Sequence, residues 1–383
     1  MKKILVIHNS YQHLGGEDIA VNSEISVLKK YFEVETIFFD NSLNTYFFQF
    51  FYFIFANNLK SNSLIRQKII ESQPDLIYVH NTWFKASLGI FKVIEKFNIP
   101  VILKLHNFRY NCTKSLFSKH HLLGANFCKA CGYKKEDAQI FNKYFKDSWF
   151  KSFLILIYGR KYFSLLQKKN IKIAVLTNFH KEFLNTMGDF GNRVYVHPNP
   201  LEITKKESSI SNNLYLTYAG RISEEKGVKE LIEAFLEADL PNIHLKIIGN
   251  GPDLEYLKTK YSDKNSIKFH GFLDNLETLN FISTSVAVIT ATKLYEGQPT
   301  LLCEASLLGV PSIFPDSGGI KEFFPADYPF SYIPFDKNSL VGVIKKVENK
   351  DIIKKTSQQS FEHISTYLEE KKLITNFQEI MNV

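Results

Sequence analysis

Short apolar runs alternate with longer mixed segments along almost the whole chain, and this rhythm limits the possible folds more than any other feature. In the first half the runs are KILVIHN from Lys3, VETIFF from Val34, DLIYVH from Asp75, PVILKLH from Pro100, KIAVLT from Lys172 and VYVHP from Val194. The second half restarts the rhythm with LYLTYAG from Leu214, HLKIIGNG from His244, IKFHG from Ile267, AVITA from Ala287 and VPSIF from Val310. Such runs, separated by stretches of helical pattern such as Ile19 to Tyr31 and Leu88 to Phe97, predict parallel sheets wrapped by helices. Between the halves, PNPLEITKKESSISNN runs from Pro198 to Asn213 and reads as a linker. A chain of 383 residues is long enough for two cores. The expected organisation is a domain over 1–197, a linker over 198–213 and a second domain over 214–360. A helix within 361–383 is expected to pack back on the first domain.

Composition narrows the class. Hydrophobic content of 45% with 22% charged excludes a disordered chain. Four cysteines exclude a disulfide scaffold and suit a reducing compartment. The Met1-Lys2-Lys3 start lacks the cleavage site of a signal peptide, and the apolar run from Tyr46 to Ala56 is about half a membrane span. The expected location is therefore cytoplasmic. Net charge is +8, but unevenly placed. Residues 1–200 hold 27 basic against 14 acidic side chains, and residues 201–383 hold 20 against 25. Segment 101–172 alone holds 15 against 3. No nucleic-acid motif accompanies this excess, so an anionic acceptor or membrane lipid is the expected partner, not nucleic acid.

Doubly wound sheets bind ligands beyond the carboxyl ends of their strands. The segment EGQPTLLCEASLLGVPSIFPDSGG starts at Glu296. Pro299 at a helix start leaves Glu296 in the preceding loop and places Glu304 in the second turn. Backbone amides around Gly297, Gln298, Pro299 and Thr300 then form an anion site. Carboxylates beside that site repel phosphate but accept hydrogen bonds from sugar hydroxyls. In YAGRISEEKG, from Tyr218, a strand ends in Gly220, with Arg221 and Lys226 at the mouth of a helix. Two cations there can hold a diphosphate. Sugar, ribose and diphosphate together describe a nucleotide-sugar. Gly15-Gly16-Glu17, after the first strand, lets backbone approach a phosphate at Gly16.

Together these segments resemble the retaining glycosyltransferases of family 4, which have the GT-B fold. The matching residues are Glu296 and Glu304, Arg221 and Lys226, the GNGP turn Gly249–Pro252, and Gly15-Gly16-Glu17. LHNFRYNC, from Leu105, is similar to a subgroup that makes bacterial surface polysaccharides. The resemblance implies an α/β chain of two Rossmann-like doubly wound domains facing an inter-domain cleft. It also implies roles for individual residues. Arg221 and Lys226 stabilise the leaving nucleoside diphosphate, Glu296 binds the donor sugar and Glu304 the ribose. Gly16 contacts phosphate, and His106 faces the reacting sugar or the acceptor.

The donor expected on this basis is a UDP- or GDP-sugar. The acceptor is a lipid-linked saccharide at the inner face of the cytoplasmic membrane, in O-antigen, capsule or exopolysaccharide synthesis. A GT-B epimerase and a non-catalytic sugar-nucleotide-binding protein are the alternatives. No cofactor or metal is expected, and no Asp-x-Asp occurs in the sequence. Cys112, Cys128 and Cys131 could supply three zinc ligands with His120 or His121 as a fourth, but the resemblance implies another cysteine near where Tyr144 stands here, which weighs against a metal. Cys303 reads as a buried small hydrophobe and His270 as a packing residue. The aromatic stretch from Thr45 and the basic, apolar segment from Trp149 fit either ordinary helices or a membrane-facing surface.

Overall fold

The computed structural model describes residues 1–10, 16–41, 51–52, 54–145, 147–201 and 215–382. Gly15, residues 45–50 of the aromatic stretch and linker residues 202–213 lie outside the described residues. The chain divides into two compact units, Met1–Leu201 with Glu370–Val383, and Glu202–Glu369.

Among the described residues, the first unit has strands β1 (Lys3–Ser10), β2 (Glu33–Asp40), β3 (Leu76–Val79), β4 (Val101–Leu105), β5 (Ile171–Val175) and β6 (Val194–Val196). They form one parallel sheet in the order β2-β1-β3-β4-β5-β6. Ile4, Leu5, Val6 and Ile7 of β1 are at most 1% exposed, as a parallel strand covered on both faces requires. Helix α1 (Gly16–Leu28) follows β1, and α2 (Trp149–Leu166) lies in the long connection from β4 to β5. The order reverses between β1 and β3. The crevice beyond the carboxyl ends of these two strands is the ligand position of a doubly wound sheet.

The second unit repeats the plan. Its strands are β7 (Tyr215–Ala219), β8 (His244–Ile248), β9 (Ile267–Gly271), β10 (Ala287–Ile289), β11 (Ser312–Pro315) and β12 (Ser331–Tyr332). They form a parallel sheet in the order β12-β11-β10-β7-β8-β9, with the reversal between β7 and β10. Helix α3 (Val228–Ala238) follows β7, and α4 (Thr300–Leu307) follows β10. The two-residue β12 is too short to show an apolar pattern, and the sequence reading did not contain it.

The C-terminal stretch is two helices, α5 (Lys350–Tyr367) and α6 (Glu370–Asn382). Because α5 runs unbroken through residues 360 and 361, the boundary falls at Glu369 and not after residue 360. Helix α6 belongs to the first unit. Its Ile374, Phe377 and Ile380 pack with Ile4, Val6, Phe32 and Tyr78. Lys30 pairs with Glu370 at 2.7 Å, and Lys172 donates to the Ile380 carbonyl at 2.8 Å.

Candidate functional site

In the second unit, the expected donor residues collect at the β7/β10 reversal. Gly220 follows β7 and Gly249 follows β8. A Cβ at Gly249 (φ +136°) would collide with the Gly220 carbonyl oxygen, so the two strand exits touch backbone to backbone. That contact, with hydrogen bonds from Gly220 N–H to the Ile248 carbonyl and from Ile222 N–H to that of Asn250, fixes the exit carrying Arg221. The Tyr218 hydroxyl donates to the Arg221 carbonyl at 2.7 Å. The Arg221 side chain is exposed.

Lys226 closes a 3₁₀ turn, Glu224–Lys226, just before α3. Its Nζ lies 2.5 Å from Glu296 Oε1, although 70 positions separate them in the chain. Both side chains are 29% exposed, so the pair is accessible to a ligand. Thr292 Oγ1 donates to the same Glu296 oxygen at 3.2 Å. Behind Glu296, Gly319 N–H donates to its carbonyl at 2.9 Å, and a Cβ at Gly318 would sit 2.7 Å from that oxygen. Glu296 is thereby held from both ends of its loop.

Glu304 is in the second turn of α4, as the Pro299 position predicts. It is 7% exposed, and burial pushes its carboxyl up to about 7. Among the described residues no ion pair or hydrogen bond to this carboxyl occurs, unlike Glu296. Gly297 and Gln298 are buried in the same loop, with Pro299 and Thr300 partly exposed after them. The Thr300 amide already donates to the Gln298 carbonyl at 3.0 Å, so the expected anion site is not a set of wholly unpaired amides. Cys303 is fully buried in α4, and burial pushes its thiol up. His270 packs against the Phe281 ring at 4.7 Å.

The first unit holds the remaining predicted residues. Gly16 opens α1, and the space a Cβ would occupy there is open. His106 follows β4 directly. Its Nε2 lies 3.0 Å from Nδ1 of His80, which follows β3, and the rings stack at 5.3 Å. His8, near the end of β1, meets His80 edge-on at 6.2 Å and pairs with buried Asp18 of α1 at 2.9 Å. Burial lowers all three histidines: His80 to about 3, His106 well below its usual value, and His8 despite the Asp18 carboxylate. All are neutral at pH 7. A pocket beside them is lined by Glu17, His80, Trp83, His106, Arg109 and Tyr162. Asn107 Nδ2 reaches Glu17 at 3.4 Å across it.

His8, His80, Trp83 and Arg109 are not among the site candidates named from the sequence, yet a signal exists. Three apolar strands each run into His-Asn: His8-Asn9, His80-Asn81 and His106-Asn107. The asparagines are structural. Asn9 Oδ1 accepts from the Ala86 amide at 2.9 Å, and Asn81 Nδ2 donates to the Asn9 carbonyl at 2.8 Å. They tie the ends of β1 and β3 together and so align His8 with His80.

Residues 201–365 match the family Glycosyl transferases group 1. An uncharacterized glycosyltransferase of Methanocaldococcus jannaschii is 25% identical over 337 residues, covering 79% of this chain and 84% of that one. The putative teichuronic acid biosynthesis glycosyltransferase TuaC of Bacillus subtilis is 28% identical over 153 residues, 40% of this chain and 38% of its own. Among solved structures, Anabaena HepE in complex with UDP and glucose superimposes with a TM-score of 0.67 at 16% identity, covering 100% of both chains. That likeness establishes the fold: two Rossmann-like α/β domains of the GT-B type. The match of residues 201–365, most of the second unit, to glycosyl transferases group 1 thus supports reading the chain as a glycosyltransferase.

Proposed function

We propose that the protein transfers a sugar, with retention of anomeric configuration, from a UDP- or GDP-sugar to a lipid-linked saccharide in bacterial surface-polysaccharide synthesis. The observation that carries this reading is the Lys226–Glu296 pair at the β7/β10 reversal, with Arg221 on the loop after β7 and buried Glu304 in α4 after β10. In this reading the donor diphosphate takes Lys226 and Arg221, and Glu296, released from Lys226, accepts hydrogen bonds from the donor sugar. Glu304 accepts from the ribose hydroxyls. The bond between the anomeric carbon and the phosphate oxygen breaks, and negative charge gathers on the leaving nucleoside diphosphate. Two fixed cations stabilise that charge. No metal takes part at the donor site in this reading. Gly16, with its open approach, contributes a backbone contact to phosphate, and His106 faces the acceptor hydroxyl in the first unit.

The acceptor half of the proposal has its own support. Trp83 and Tyr162 bring aromatic side chains to the His106 pocket, and Glu17 and Arg109 bring charged ones. At the start of α2, Trp149, Phe150 and Phe153 are 46–57% exposed beside Lys151. Further along, exposed Lys161 donates to the Ile54 carbonyl, next to exposed Phe55. Large exposed aromatics with cations suit contact with the headgroups of an anionic membrane. No helix among the described residues is long and apolar enough to cross a membrane. In this reading the protein sits peripherally on the inner face of the cytoplasmic membrane.

The test is a panel of UDP- and GDP-sugars screened by thermal shift, then assayed for transfer with Lys226→Ala and Glu296→Ala. One donor should raise the melting temperature, and each variant should lose about 100-fold or more in transfer while keeping its fold. Near-normal turnover in both variants would sink the site assignment. Formation of an epimer in place of a transfer product would replace the reaction.

A further inference from the structure

Between β4 and α2 the chain forms a small lobe with little to hold it. Its helices, Arg109–Thr113, Ser118–Leu122 and Lys135–Ala138, have only five, five and four residues. Its sheet structure amounts to two isolated bridges, Phe117 with Phe141 and Phe127 with Lys134. Its buried apolar cluster consists of Leu122 and Ala138 around two cysteines, with Ala130, Cys131 and Tyr144 packed against it. Buried Tyr110 and Tyr133 add to that cluster, but such short helices around so few apolar side chains are the kind of fold that uses a staple.

The staple is visible in the side chains. Cys112, His121, Cys128 and Cys131 come from three separate pieces of the lobe, and their Sγ and imidazole nitrogen atoms all lie within 4.8 Å of one another. Cys112 Sγ and Cys128 Sγ are 3.7 Å apart. This is far from the bonded distance of about 2.05 Å. It matches the spacing of about 3.8 Å between two sulfurs each about 2.3 Å from one tetrahedral ion. His121 Nε2 is 3.1 Å from Cys131 Sγ. The loop Cys128-Lys129-Ala130-Cys131-Gly132 is a tight turn. Gly132 (φ +84°) donates to the Cys128 carbonyl, and the Cys128 amide donates to that of Tyr133, both at 2.8 Å. Such a turn presents two sulfurs to one point.

We propose that these four residues bind a structural zinc ion. Three thiolates and one imidazole are soft ligands that select zinc over magnesium or calcium. Four protein ligands close the coordination sphere, so the ion supports the fold and does no chemistry. On binding, the three thiols lose their protons to solvent and the imidazole binds through Nε2. The metal also has a place relative to the pocket. Cys112 lies in the short helix that begins with the pocket residues Arg109 and Tyr110, three residues beyond His106. The ion would fix that wall. This inference does not depend on the donor-site reading.

The test begins with the full-length protein, grown with zinc and purified without chelators. Elemental analysis should find about one zinc per chain. Cobalt added to chelator-treated protein should give the visible absorption of a tetrahedral thiolate site. The double variant C128S/C131S and the single variant H121A should lose zinc. Zinc below about 0.1 per chain in the wild type, against the single closed site expected, would overturn the proposal. So would a Cys112–Cys128 disulfide by mass spectrometry, or full zinc content in both variants. If the variants fail to fold, the zinc content and cobalt spectrum of the wild type still decide.

Discussion

Glu296 and Glu304 share a loop-and-helix segment but differ in state, and the difference follows from what each side chain touches. Glu296 has Lys226 and Thr292 on one carboxylate oxygen. Glu304 has burial alone, which moves its carboxyl from the ordinary 4.5 to about 7. Between those two values the folded protein holds a proton that the unfolded chain has released. Its contribution to stability is therefore complete below about pH 4.5 and is lost as pH rises through about 7. Glu304→Gln keeps the shape without the ionisation. Its melting temperature should gain on the wild type by a few °C between about pH 6 and 8, at roughly 2–4 °C per kcal/mol. Parallel melting curves for the two proteins would contradict the assignment. The ribose role makes the opposite demand: donor should stabilise the wild type more at about pH 8 than at about pH 6, since the carboxylate is the better acceptor. The motif made Glu304 a candidate, but its protonation was not legible, because desolvation depends on residues distant in sequence.

At the scale of elements, α6 is the clearest case of a helix whose role its own pattern does not reveal. Its apolar stripe shows that it packs against something. That the partner is the first unit is settled by contacts 179 and 380 positions away. Asn376 Oδ1 lies 2.9 Å from His197 Nδ1, and Lys2 donates to Asn382 at 2.8 Å. Beneath α6, Glu24 of α1 gathers Lys104 of β4 at 2.7 Å, Tyr78 of β3 at 2.7 Å and His197 after β6 at 3.0 Å. Burial opposes the Glu24 charge, but Lys104 and His197 hold its carboxyl well below the usual range. Phe377 is fully buried against Phe32, Tyr78 and His197. Phe377→Ala should cost about 3–5 kcal/mol, read as a lowered denaturant midpoint. A cost under about 1 kcal/mol would mean that α6 is an appendage and not part of the core.

At the scale of the whole molecule, the charge asymmetry and the aromatic surface make one joint prediction. The +13 of residues 1–200 comes mostly from segment 101–172, which also carries exposed Trp149, Phe150 and Phe153. Co-sedimentation with vesicles containing anionic lipid should fall severalfold as salt rises from about 0.05 to 0.5 M, because screening shortens the reach of the charge. Phe150→Ser should weaken what remains at high salt. Binding indifferent to both salt and lipid charge would remove the membrane from the proposal. The sequence by itself determined the strand rhythm, the two-unit plan and the residue types of the donor site, since periodicity and turn chemistry are local properties. Tertiary structure alone decided which atoms meet. It set Lys226 against Glu296 and lined up three histidines from separate strands. It also turned His121 inward while leaving His120 exposed. The reason is physical: a local pattern fixes which face of an element is apolar, but the crossovers and packing of the whole chain fix what that face is brought against.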